Sequence, residues 1–298
     1  MTKQSDTNGR GFEYCFCESV PKLLAEYTVK FSHRAFINQE RDAEKFYSLN
    51  ENKQKYFNSQ SKKIITYLQK TYFPSPTDIT IDRLNDGEGG VKRNPTDVVI
   101  GFSSKKLNVS LKHNNLSLKH QRIPSLFSQI GIEGHADENS YRQKIKEISN
   151  NFYKKTQSLD LNITLFSEVK ELDNRLIYEG LYKKTMTEYT KILDRFRKDK
   201  HCCRSYFTFL VGNQDYLQVT MSQSIVDLKF FNKIKLPDTL STTPVNDSNY
   251  LVQFDNGFTF NLRIHTASSR MEKCTGKCCD MKIDTTLVKE NIKKLTLQ

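Results

Sequence analysis

The stretch Pro95-Thr96-Asp97-Val98-Val99-Ile100-Gly101-Phe102 runs through Ser103-Ser104-Lys105-Lys106 into Leu107-Asn108-Val109-Ser110-Leu111-Lys112. Its apolar residues recur with period two, which predicts two strands joined by a turn. With the turn centred between Ser104 and Lys105, Asp97 faces Lys112 and Val99 faces Ser110. Side chains alternate across a strand, so Asp97, Ser110 and Lys112 share one face. Val98, Ile100, Val109 and Leu111 share the other, which is fully apolar and packs on a core. The polar face holds an acid beside a lysine. By geometry that is an ordinary cross-strand ion pair or part of a reaction centre.

Outward from this hairpin, the N-terminal part (about 10–75) reads as helix. Phe12, Phe16, Val20, Leu23, Leu24 and Tyr27 fall at helical spacing around Pro21, and a second helical region covers roughly Gln39 to Phe73. Downstream, Asn114 to Arg122 reads as a loop. A helical middle follows at about 139–198, and then C-terminal strands at about 204–285. These include Tyr206–Val211, Tyr216–Thr220 and a hairpin, Tyr250–His265, about Asp255-Asn256-Gly257, the strongest kind of short-range hairpin signal. With no internal repeat and no clean linker, the expectation is one α/β domain over 1–298, a mixed central sheet flanked by helices with helical decorations.

The 298 residues carry a formal charge of +12, with 37% hydrophobic residues, 14 Tyr and 19 Phe. That composition builds a core and excludes disorder, collagen and small disulfide scaffolds. No run approaches the roughly 18 apolar residues of a membrane helix. The opening MTKQSDTNGRGFEY lacks a basic-then-apolar signal layout, so a cytoplasmic location is expected. Between Lys92 and Arg122 stand seven basic residues and the single acid Asp97, a net of +6. Such a run is either a solvated face or a surface for a polyanion, since each phosphate contact by Lys or Arg releases condensed counterions. Interleaved with strand patterns and two His residues, it favours a binding face.

Pro95-Thr96-Asp97 with Ser110-Leu111-Lys112 resembles the motif of the PD-(D/E)xK nucleases. Three further blocks sharpen the likeness: Asn8-Gly9-Arg10-Gly11-Phe12-Glu13-Tyr14, then Ser110 to Asn114 with Leu118 to Arg122, then Arg263 to Arg270. Together these are similar to type II restriction endonucleases of the HaeIII family. The resemblance implies a nuclease-like mixed sheet and site-specific cleavage of double-stranded DNA at a short palindrome, GGCC by analogy. It also implies pairing with a methyltransferase of the same specificity, and a homodimer or sequential nicking. A structure-selective repair nuclease on the same scaffold, or a non-catalytic nucleic-acid-binding protein, are the rival readings.

Phosphodiester hydrolysis needs charge neutralised at the attacked phosphate and a water acidified and oriented. Mg²⁺ (or Mn²⁺ in its place) takes one or two carboxylates and fills its shell with water and substrate oxygens. Asp97 is the expected central ligand, Glu13 a second carboxylate, and Lys112 the group that holds the attacking water. Ser110 stands where the motif has an acid, so either its hydroxyl contacts a metal-bound water or Glu13 or Glu88 fills the gap. Lys119, Arg122, Gln121, His120 and Asn115, with Arg93, Arg263 and Arg270, are the residue types that base edges and phosphates require. The seven cysteines sit in three groups. Cys202, Cys203, Cys274 and Cys278 are candidate ligands for a structural Zn²⁺, with free thiols as the alternative.

Overall fold

The computed structural model describes residues 3–84, 94–114, 117–222, 225–271 and 281–297. The chain begins with helices α1 (Lys3–Leu23), α2 (His33–Tyr47) and α3 (Glu51–Tyr72), with strand β1 (Thr28–Phe31) between the first two. Strands β2 (Asp78–Arg83), β3 (Val98–Phe102), β4 (Lys105–His113) and β5 (Ser117–Arg122) follow. Next are helices α4 (Asp137–Leu159), α5 (Phe166–Ile177), α6 (Lys184–Arg195) and α7 (Lys200–Val211), with a π-helical turn at Tyr178–Lys183. The remainder is β6 (Tyr216–Ser222), β7 (Ile225–Phe231), β8 (Leu240–Asn246), β9 (Asn249–Phe254), β10 (Thr259–Thr266), β11 (Met281–Lys289) and β12 (Lys293–Leu297). Among the described residues no helix is long and apolar enough to cross a membrane. By compactness the chain divides into two units: Met1–Leu116 with Gly212–Ile234 and Ile292–Gln298, and Ser117–Val211 with Lys235–Asn291.

The first unit is a mixed seven-stranded sheet in the order β1-β2-β3-β4-β6-β7-β12. β1/β2 and β4/β6 are parallel and the other pairs antiparallel. Its apolar face carries Val98, Ile100, Val109, Leu111, Leu217, Val219 and Met221, all buried against Phe12, Phe16 and Val20 of α1 and Ile64, Ile65 and Leu68 of α3. The predicted helical region from Gln39 to Phe73 is two helices. Ser32 Oγ caps α2 by accepting from Ala35 N, and Asn50 starts α3 by accepting from Lys53 N. The β3/β4 hairpin pairs Val98 with Val109, two residues off the expected register, and turns at Ser103, which adopts φ +52°. A shift of two keeps every side chain on its face, so Asp97, Ser110 and Lys112 remain together.

The second unit holds the antiparallel sheet β5-β11-β10-β9-β8 with α4 to α7. Its hairpin at Asp255-Asn256-Gly257 forms as expected, with Gly257 at φ +89° in the turn. Two expectations are corrected here. Tyr206–Val211 is not a strand but the end of α7, whose buried Cys202, Cys203, Tyr206, Phe207, Leu210 and Val211 follow a helical period. Ser117–Arg122 is not a loop but strand β5, paired antiparallel to β11. Its alternation splits the segment: Gln121 is buried inward, while His120 and Arg122 are exposed.

Burial overturns Gln121 as a reader of bases. Its Nε2 donates to Thr285 Oγ1 (2.6 Å), and its Oε1 accepts from Tyr189 (2.6 Å) and Tyr206 (3.0 Å) hydroxyls. Gln121→Ala should lower unfolding free energy by about 2–3 kcal/mol in urea denaturation, through unsatisfied hydroxyls and a small cavity. DNA affinity per folded molecule should stay at the wild-type value.

Candidate active site

Asp97 enters the sheet at the start of β3 with its backbone N–H donating to Val109 O (2.9 Å). Its Oδ2 accepts from Leu111 N (2.6 Å) and Ser110 Oγ (3.2 Å). Lys112 Nζ lies 3.8 Å from the same oxygen, with both side chains about a quarter exposed. The β4 hairpin strand thus supplies a backbone donor, a hydroxyl and an ammonium to one carboxylate. Among the described residues Asp97 Oδ1 takes no hydrogen bond.

Glu13 reaches this site from α1. Its Oε2 accepts from Arg83 (2.7 Å), and desolvation together with the charge of Asp97 pushes its carboxyl up to about 7. Arg83 and Lys112 pull in the opposite direction without prevailing. Two carboxylates whose charges oppose each other thus stand beside Lys112 and Arg83. That donor set fits a hard divalent cation such as Mg²⁺, which takes one or two carboxylates and fills the remainder with water. Asp97 and Glu13 are the residues that would hold it. Among the described residues no third His, Cys, Asp or Glu joins them. Glu88, the other acid expected to compensate for Ser110, lies outside the described residues.

Arg83 was missed by sequence reasoning, although β2 carries a signal for it. Ile79, Ile81 and Arg83 occupy the inward positions of the strand. Arg83 is 1% exposed and also donates to Asp42 Oδ2 (2.8 Å) and Gln39 Oε1 (2.8 Å) of α2. Tyr216 was missed as well. The β4/β6 register sets Tyr216, Gln218 and Thr220 on the face of Ser110 and Lys112. The Tyr216 ring stacks on Phe231 at 4.5 Å, and its buried hydroxyl has no hydrogen-bond partner among the described residues. Burial and the charge of Asp97 raise its pKa well above the usual phenol value.

The expected DNA-contacting residues separate. His120, Arg122 and Arg263 share one face of the second unit's sheet, while Lys119 turns the other way, its ammonium 5.3 Å from the Phe209 ring centroid. Arg263 pairs with Asp284 of β11 (3.2 Å). Arg270 is exposed in an isolated bridge with Leu165. Arg93 and Asn115 lie outside the described residues. The basic run therefore divides: Lys105, Lys106 and Lys112 belong to the first unit, and Lys119 and Arg122 to the second.

The proposed Zn²⁺ ligands do not assemble among the described residues. Cys202 and Cys203 are buried on α7, with Cys203 Sγ directed at the carbonyls of Phe196 and Arg197. Burial pushes the two thiols up to about 12 and about 11, away from thiolate. Cys274 and Cys278 lie outside the described residues.

The sequence matches the HaeIII restriction endonuclease family over residues 9–243, and the chain belongs to that family. It is therefore a DNA-hydrolysing enzyme that cleaves at specific sites, and restriction endonucleases generally depend on a divalent metal. No curated protein sequence matches the chain. A solved structure of the restriction endonuclease MspI in complex with its cognate DNA shows 11% identity at a TM-score of 0.30, covering 81% of this chain and 82% of that one. A likeness at that TM-score is too loose to carry residues from one chain to the other.

The raised Glu13 carboxyl makes stability depend on pH. Between its ordinary value of 4.5 and about 7, the folded state binds more protons than the unfolded state. Metal-free protein should therefore lose stability as pH rises through that window and level off above it. Thermal melts between about pH 5.5 and pH 8 should show this fall, and added Mg²⁺ or the Glu13→Gln substitution should flatten it.

Proposed function

We propose that this HaeIII-family chain is a Mg²⁺-dependent type II enzyme that hydrolyses both strands of a short palindromic DNA site. The observation that carries the assignment of residues is the contact set on Asp97: Leu111 N–H, Ser110 Oγ and Lys112 Nζ all directed at one oxygen. A cross-strand ion pair alone has no need of a backbone donor at 2.6 Å or of a second carboxylate held nearby in Glu13. When bound by Asp97 and Glu13, a divalent cation supplies neutralisation at the attacked phosphate and acidifies a water.

The chain's own groups do the rest. Lys112 orients the attacking water and stabilises the charge that builds on the phosphate. Ser110 and the Leu111 amide fix Asp97 in one rotamer. Arg83 fixes Glu13. His120, Arg122, Arg263 and Arg270 are our candidates for DNA contacts. GGCC is the site suggested by the family likeness. Cutting both strands of a palindrome is served by a two-fold dimer or by sequential nicking, and an activity of this kind requires a methyltransferase that protects the same site.

Digestion of a sequenced phage genome with Mg²⁺, followed by end-mapping, tests site, cut position and activity together. Discrete bands are expected. Cleavage confined to nicks, flaps or lesions would indicate a structure-selective nuclease, and binding without cleavage in Mg²⁺ or Mn²⁺ a non-catalytic protein.

Asp97→Asn keeps size and much of the hydrogen bonding, so the fold should survive while cleavage falls by at least about a hundredfold. Metal-free DNA binding by that variant should hold or tighten, since a negative charge leaves the site. Lys112→Ala should lose cleavage to a similar extent, and Ser110→Ala much less. If Asp97→Asn cuts DNA at the wild-type rate, Asp97 and Lys112 are an ion pair and no more.

A further inference from the structure

Asp284 lies in β11 at the centre of two rows that cross three strands of the second unit. In the first row His120 of β5, Asp284 and Arg263 of β10 are in register, and in the next Arg122, Lys282 and His265. Asp284 Oδ1 is 2.5 Å from His120 Nδ1, and its Oδ2 is 3.2 Å from an Arg263 guanidinium nitrogen and 3.0 Å from His265 Nε2. Asp284 is thus hydrogen-bonded to one group on each neighbouring strand, His120 and Arg263, while the buried His265 Nε2 lies close by without a hydrogen bond. We propose that this patch reads the recognition sequence in double-stranded DNA, with Asp284 as the residue that positions its hydrogen-bond donors. The inference rests on the site-specific DNA-cleaving reading and deepens it.

Three physical arguments support it. The first is exposure. The Asp284 side chain is 14% exposed and that of Arg263 58%, so the anchor is shielded while the anchored head faces outward. An ordinary surface ion pair leaves both partners exposed and is worth about 0–1 kcal/mol. Fixing long donor side chains before binding reduces the entropy lost when they meet a base edge.

The second is position. β5 is the edge of its sheet, with β11 and β10 beside it. His120 and Arg122 are exposed on that edge strand, about 4.8 Å from the Asp284 and Lys282 row, so a duplex can meet them at the rim without the sheet entering a groove.

The third is charge. A patch built for phosphate alone is weakened by a central acid, which repels the backbone. Placing a carboxylate there is useful when the direction of the donors matters more than the attraction. Base edges demand direction, whereas phosphates accept any nearby cation.

Asp284→Asn in the full-length chain gives effects of opposite sign. Binding to random-sequence DNA without metal, measured by fluorescence anisotropy, should hold or tighten. The ratio of cleavage rates on the mapped site to those on duplexes with one base pair changed should fall by at least about tenfold, the equivalent of one lost base contact. An unchanged ratio would overturn the proposal, as would an equal loss of cleavage on every duplex. Should the variant fail to fold, Arg263→Gln decides the matter, because its exposed head can be replaced without disturbing the core. A folded Arg263→Gln protein with wild-type discrimination would overturn the proposal too. Wild-type protein that cuts at no discrete site would instead defeat the parent reading and is recognised before any variant is made.

Discussion

A guanidinium sealed from water has to be neutralised, and the site in the first unit depends on how Arg83 meets that demand. Removing a charge from solvent costs several kcal/mol unless partners with good geometry surround it. Arg83 is 1% exposed, and α1 and α2 deliver Glu13, Asp42 and Gln39 to it at 2.7–2.8 Å. Asp42 is itself fully buried and takes further charge from Arg41 at 2.8 Å and Arg10 at 3.8 Å. The helices are thereby tied to β2 through charge as well as through the apolar core. One consequence is chemical. Glu13 is fixed by Arg83 in a place where it feels both Asp97 and Lys112.

The β3/β4 hairpin was legible in the sequence because a two-residue period and a polar-plus-apolar division survive a register error of two. The Asp255-Asn256-Gly257 hairpin was legible because its turn chemistry is local. What the sequence concealed is what depends on long-range packing. Tyr206 to Val211 is apolar enough to pass for a strand, and its helical period emerges once Cys202 and Cys203 are counted as buried. β5 has no apolar alternation of its own. Its strand character comes from pairing with β11, some 160 residues later in the chain. Gln121 looked like a reader of base edges because a buried amide and an exposed one have the same letter. The hydroxyls of Tyr189 and Tyr206 that claim it come from two different helices.

The site itself was half legible. Asp97, Ser110 and Lys112 announced themselves through spacing, and Glu13 through the resemblance of its block. Arg83 and Tyr216 of that site, and Asp284 in the second unit, did not, since their surroundings are set by neighbours that the fold supplies. Arg83 offered one local sign, a charged residue at an inward strand position after Ile79 and Ile81. Asp284 offered none that a single strand can show, because its His and Arg partners stand on the two strands that flank it.

The departure of Ser110 from the acid of the PD-(D/E)xK motif has a physical account in these contacts. Ser110 is 1% exposed, and its hydroxyl donates to Asp97 Oδ2. A carboxylate in that place would be a third negative group near Asp97 and Glu13, and Glu13 is already pushed up to about 7 by burial and by Asp97. A hydroxyl removes that repulsion and adds a donor that holds Asp97 still. The second carboxylate then comes from α1, where Arg83 keeps it in place. On our proposed reading Glu13 of α1 takes the place of the strand acid, and the buried guanidinium that holds it is the same one that joins the helices to the sheet.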